Sequence, residues 1–158
     1  MTGWITANWK IAPPRIALLG ISMGGQGALG LAYRQALKFP VVAAISPAID
    51  FQLTWGKGFG VEDLFSTADI ARQATVTLNL HPLNWPRHQF FCCDPQDPTW
   101  HDGCQRLASK LLSSGVPFTS DLTTSRGGHS WEYFDAQAER VLHWLNDRLT
   151  DVIAESAS

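Results

Sequence analysis

A chain of 158 residues, 45% apolar and 16% charged, has enough apolar content for one substantial core, which excludes an intrinsically disordered segment. A formal charge of −2 supplies neither the basic field that binds nucleic acid nor an acidic tail. No apolar run reaches bilayer length, and residues 1–15 have no charged start followed by an apolar stretch, so neither a membrane partner nor a leader is expected and a cytoplasmic location is.

Strand and helix patterns alternate along the chain. RIALLGI (residues 15–21) is apolar at nearly every position, as in a strand covered on both faces. GGQGALGLAYRQALKF (24–39) follows as a helix ended by Pro40, and VVAAISPA (41–48) is the next apolar strand. The pattern then loosens. FQLTWGKGFG is rich in glycine, VEDLFSTADIARQA reads as one or two short helices, and residues 51–86 are expected to form an excursion over the sheet edge. HQFFCCD (88–94) is a third strand. DGCQRLASKLLSSG (102–115) is an amphipathic helix closing at Gly115, with Asp102 as its expected N-cap. VPFTSDLTT (116–124) is a fourth strand. Residues 130–153 close the chain as a helix with Phe134, Ala138, Val141, Leu142 and Leu145 on one face. Such alternation predicts a single α/β domain over 1–158, a three-layer parallel sheet with helices on both faces.

Cys92, Cys93 and Cys104 are odd in number and lack CxxC spacing, which argues against a disulfide framework or a zinc site. Buried, unreactive thiols are expected. Neither a metal nor an organic cofactor is.

Gly20-Ile21-Ser22-Met23-Gly24 places a serine between two glycines, where an apolar strand turns into a helix. A sharp strand–turn–helix junction leaves the Ser22 hydroxyl exposed, and the helix N-terminus favours negative charge beside it. Met23 follows directly and offers its backbone N–H to an oxyanion. A serine nucleophile requires a base, and the base an orienting carboxylate. His129, in the glycine-flanked loop SRGGHSWEYF, is the expected base; His81, His88, His101 and His143 fit surface or packing roles. For the acid, Asp94, Asp97 and Asp50 all follow predicted strands, at the sheet end where ligands bind.

Three segments resemble the C-terminal part of α/β-hydrolases of the esterase D type, the group of S-formylglutathione hydrolases and feruloyl esterases: RIALLGISMGGQGAL, CDPQDPTWHDGCQRLASKLLSSGVP and GGHSWEYF. The resemblance implies Ser22 as nucleophile, His129 as base and Asp97 as acid, with Asp94 standing where such enzymes tend to have glycine. It also implies a serine ester hydrolase acting on a small-molecule ester through an acyl-enzyme, or an acyltransferase using the same residues. A non-catalytic binding protein that keeps the architecture is the rival reading.

The sheet of that fold holds more strands than the four legible here, and the others would precede MTGWITANWKIAPP, which resembles the helix leading into the elbow strand. They would carry a second oxyanion donor, whose loss costs about 2.7–4 kcal/mol of transition-state stabilisation. The apolar strand before Ser22 would then have an open edge, inviting self-association or pairing with a further segment. Trp55, Trp85, Trp100 and Trp131 lie in predicted loops near strand C-terminal ends. Trp55, Trp100 and Trp131 are expected to stack against a substrate.

Overall fold

The computed structural model describes residues 2–156. Helix α1 (Thr2–Trp9) leads into strand β1 (Leu18–Ile21), helix α2 (Met23–Arg34) and strand β2 (Val41–Ile45). A 3-10 turn at Phe51–Thr54 and the short helices α3 (Val61–Leu64) and α4 (Ala68–Gln73) precede strand β3 (His88–Cys92). Helix α5 (His101–Ser113), strand β4 (Thr119–Asp121) and helix α6 (Trp131–Glu155) complete the chain. The four strands pair in parallel in the order β1-β2-β3-β4. The α/β architecture agrees with the sequence pattern.

Strand order decides the layering. Right-handed connections between successive parallel strands all fall on one face of the sheet. That face is covered by α2, α5 and the segment between β2 and β3, where Leu29, Tyr33, Val76, Leu107 and Leu111 pack on Val42, Ala44, Phe91 and Cys93. The opposite face is left for α6. There Tyr133, Phe134, Val141, Leu145 and Val152 cover Val41, Ala43, Ile45, Phe90 and Cys92. The two sets alternate residue by residue along β2 and β3, as a pleated strand requires. Adjacent Cys92 and Cys93 therefore enter different cores, and all three cysteines are free and buried. Burial pushes the Cys92 thiol up to about 12, which keeps it protonated and unreactive.

Several local expectations change. Residues 51–86 do not pass over a sheet edge, because β2 and β3 are neighbours inside the sheet. Val61, Ala71 and Val76 are apolar and need cover, and they find it in the core they share with α2 and α5. Helix α2 stops at Arg34, where Gln35 leaves the helical region at φ −137°, rather than running to Phe39. Asp102 lies inside the first turn of α5, and the N-cap position falls to Trp100, which makes no side-chain cap. Just before the helix the N–H groups of Thr99 and Trp100 donate to the Asp97 carboxylate. On α6, Leu142 is exposed, and Tyr133 and Gln137 take places on the buried face.

At the start of the sheet β1 pairs with β2 alone among the described residues. Leu19 on β1 is 40% exposed, and Trp4 and Trp9 of α1 are 61% and 63% exposed, packing edge to face on each other. No described helix is long and apolar enough to cross a membrane.

Candidate active site

All four strands point their C-terminal ends the same way, and the loops leaving β1, β3 and β4 carry Ser22, Asp97 and His129. Ser22 adopts φ 54° and ψ −122°, a region that costs a non-glycine residue about 1–3 kcal/mol. Backbone bonds hold it there. Its N–H donates to the Ile45 carbonyl (3.0 Å), and its carbonyl accepts from Gln26 N (3.2 Å) and Ala48 N (3.0 Å). The turn is so tight that a Cβ on Gly20 would sit 2.1 Å from the Gly24 carbonyl oxygen. Only glycine fits at position 20. One residue on, α2 begins, and the Met23 N–H belongs to the first helical turn, whose donors have no intrahelical acceptor.

The Ser22 Oγ lies 3.0 Å from His129 Nε2, and His129 Nδ1 lies 2.7 Å from Asp97 Oδ2. A carboxylate only accepts, so Nδ1 carries the ring proton and donates it to Asp97; Nε2 is then the acceptor for the Ser22 hydroxyl. Asp97 has a wholly buried side chain and four donors. Thr99 N and Trp100 N reach Oδ1 at 3.0 Å each, and the Cys93 thiol reaches Oδ2 at 3.6 Å beside His129. Burial works to raise the Asp97 pKa, but hydrogen bonds from His129, Trp100 and Thr99 outweigh it, and the carboxyl ionises below its usual range. Phe134 meets the imidazole edge to face at 5.0 Å between ring centroids.

Of the three candidate acids, Asp97 alone is hydrogen-bonded to His129. Asp94 turns its carboxylate to the backbone of the loop between β4 and α6. Asp50 is engaged by Arg106 Nε at 2.6 Å and by Thr75 and Thr77.

A cavity of about 300 Å³ opens at this point, lined by Ser22, Met23, Phe59, Thr99, Trp100 and His129. Trp100 is there as expected. Trp55 and Trp85 instead pack against the core, and Trp131 is 72% exposed, in contact with Phe134 outside the cavity. Phe59 and Thr99 were not singled out by the sequence. Phe59 meets Trp100 edge to face at 5.9 Å, and its one legible signal is a large aromatic residue in the glycine-rich GKGFG. Among the described residues no group of three or more His, Cys, Asp or Glu is arranged to hold a metal ion.

A strained serine between a parallel strand and a helix, with a histidine from the loop after the last strand reaching its hydroxyl, defines the α/β-hydrolase class. The chain belongs to the esterase family: the family model described as "Putative esterase" matches residues 1–145. Solved structures agree in fold. An S-formylglutathione hydrolase from Agrobacterium tumefaciens superposes with a TM-score of 0.77 at 17% identity, covering 94% of this chain and 54% of that one. A ferulic acid esterase gives 0.72 at 20% identity, covering 93% of this chain and 57% of that one. The capsule O-acetyltransferase of Neisseria meningitidis serogroup A gives 0.62 at 15% identity, covering 81% and 54%. The chain thus spans between 54% and 57% of the length of these structures. No curated protein matches it significantly in sequence.

Proposed function

We propose that the protein is a serine carboxylic ester hydrolase that works through Ser22, His129 and Asp97. The observation that carries this reading is the unbroken hydrogen-bonded chain from the Ser22 hydroxyl through both ring nitrogens of His129 to a buried carboxylate. Membership of the esterase family supports it.

In this mechanism the Ser22 Oγ attacks the ester carbonyl carbon while His129 Nε2 takes the hydroxyl proton. Asp97 keeps the Nδ1 tautomer in place and stabilises the imidazolium that forms. Negative charge on the carbonyl oxygen is met by the Met23 N–H and the α2 N-terminus. Collapse of the tetrahedral species breaks the C–O bond. The alcohol leaves with the proton from His129, and the acyl group remains on Ser22. A water molecule then gives a proton to His129 and attacks the acyl carbon, and Ser22 departs with that proton as the carboxylic acid is released. The cavity volume fits a compact acyl or alcohol group, and the Phe59 and Trp100 rings give it an aromatic wall.

An acyltransferase is the second reading, favoured by the capsule O-acetyltransferase among the structural neighbours. It differs only in the acceptor, an alcohol in place of water.

The test is labelling and turnover. A fluorophosphonate is expected to modify Ser22, and Ser22→Ala to bring p-nitrophenyl acetate or butyrate hydrolysis down to background. Hydrolysis at the wild-type rate in Ser22→Ala would sink the mechanism. Added alcohols that divert the acyl group from water would favour the transferase.

A further inference from the structure

We infer that Asp94 is a positioning residue for His129, a buried carboxylate that holds the loop between β4 and α6 so that the imidazole stays between Ser22 and Asp97. This role rests on the reading of His129 as the base.

Asp94 is completely buried, and its partners are donors drawn largely from that loop. Its Oδ1 accepts from Ser125 Oγ at 2.9 Å and from Gln96 N at 2.7 Å; its Oδ2 accepts from Gly128 N at 2.9 Å and from Arg126 N. Three of the four donors lie within the four residues before His129. No cation is paired with it among the described residues, so backbone and hydroxyl dipoles alone compensate the charge. Burial works to raise its pKa, yet the donors of Arg126, Gln96, Gly128 and Ser125 outweigh it and hold the carboxyl below its usual range. The group is ionised at neutral pH.

The loop needs such an anchor. Gly127 and Gly128 both have positive φ, 80° and 70°, and a chain with two glycines has wide conformational freedom of its own. It also lies close on the Asp94–Asp97 turn, where a Cβ on Gly128 would come 3.2 Å from the Gln96 carbonyl oxygen. That turn is closed by Asp97 N donating to the Asp94 carbonyl at 3.0 Å. The turn therefore grips His129 twice, with Asp94 on the backbone before it and Asp97 on the ring. An error in the first contact displaces the second.

Asparagine cannot substitute. It presents one acceptor oxygen where the carboxylate presents two, so its NH₂ must face either Ser125 and Gln96 or Arg126 and Gly128. Either way backbone N–H donors lose their acceptor, Gln96 N in one orientation or Arg126 N and the buried Gly128 N in the other, and the loop shifts or loosens.

The experiment compares wild type, Asp94→Asn, Ser125→Ala and Tyr33→Phe. The control Tyr33→Phe deletes a buried hydrogen bond to Gln89, 2.7 Å long, at the other end of the sheet. Three quantities are read: the melting temperature, the proton NMR resonance of the His129 Nδ1–H that faces Asp97, and the rate of fluorophosphonate labelling at Ser22. Asp94→Asn is expected to broaden or lose that resonance and to slow labelling by about 10- to 100-fold, the penalty for a catalytic group misplaced on the order of 1 Å. Tyr33→Phe is expected to lower the melting temperature and leave the other two readings as in wild type. Wild-type resonance and labelling in Asp94→Asn would overturn the proposal, as would equal changes in Tyr33→Phe. Should Asp94→Asn lose its cooperative melt, Ser125→Ala decides: a smaller change in the same direction supports the role, and wild-type behaviour overturns it. Absence of labelling in wild type would count against the hydrolase reading, while the resonance would still decide the role of Asp94.

Discussion

Asp97 Oδ2 and His129 Nδ1 lie 2.7 Å apart, a contact that ties the loop after β3 to the loop after β4 across 32 residues of sequence. The carboxylate fixes which ring nitrogen carries the proton. In Asp97→Asn the amide oxygen stays with Thr99 N and Trp100 N, the NH₂ turns to Nδ1 and donates there, and the ring is driven into the wrong tautomer. The fold should survive, since the amide oxygen still accepts from Thr99 N and Trp100 N. Ester turnover is expected to fall by about 10⁴-fold. Hydrolysis of p-nitrophenyl butyrate by wild type and Asp97→Asn, alongside their melts, checks it; a mutant within tenfold of wild type would remove Asp97 from the mechanism.

What the sequence could disclose followed from how local each feature is. Ser22 was legible because the strand, turn and helix around it lie within some fifteen residues, and Gly20 is forced by its contact with Gly24 inside that span. His129 was legible for a similar reason, as a histidine in a glycine loop before a capped helix. The choice between Asp94 and Asp97 was not, on residues alone. Three positions apart on one turn, they differ only in what faces them, and that is set by a loop some thirty residues later. Trp131 shows the converse. It sits two residues from His129, but α6 begins there and turns Phe134, not Trp131, toward the ring. Phe59 depends on how a 36-residue excursion docks, which periodicity does not encode.

Two glycines of the elbow should respond differently to a methyl group. A Cβ on Gly20 would lie 2.1 Å from the Gly24 carbonyl oxygen and 2.6 Å from the Gly25 nitrogen, so backbone must move. Gly20→Ala is expected to destabilise by at least about 1–3 kcal/mol. A Cβ on Gly24 meets no described atom within 4 Å, and Gly24→Ala should melt no lower than wild type. Urea unfolding of both variants tests the pair. Equal destabilisation would show that the elbow is not packed as described.

Acid should unfold the protein earlier than its apolar core alone would suggest. Asp94, Asp97 and Asp121 all ionise below the usual carboxylate range; in each, burial pulls upward and hydrogen bonding outweighs it, with Arg140 the leading partner at Asp121. In the unfolded chain they titrate near 3.9. Over the window between that value and the lower folded ones, the unfolded state binds more protons, so stability rises with pH. Their contribution is complete above about pH 5 and is lost progressively as pH falls through 4 and below. His88 adds a shallower loss that starts near pH 6.5, because burial, then Arg148 and Arg87, lower its pKa in the folded state. Urea midpoints are expected to fall from pH 7 to pH 5 slightly and from pH 5 to pH 3 steeply. A flat profile below pH 5 would contradict the hydrogen bonding assigned to these carboxylates.

The free side of β1 carries the last prediction. Its backbone has no pairing partner on that side among the described residues, Leu19 is 40% exposed, and Trp4, Trp9, Ile11 and Met23 are likewise exposed apolar side chains. Unpaired N–H and C=O groups along an apolar edge are a template for another strand. We propose that residues 1–158 alone self-associate through β1. Light scattering over a concentration series is expected to report species larger than 17.4 kDa. Leu19→Lys, which places a charge on that strand, should shift the distribution toward monomer without lowering the melting temperature. A monodisperse monomer across the series, with ordinary esterase turnover, would show that this edge needs no partner.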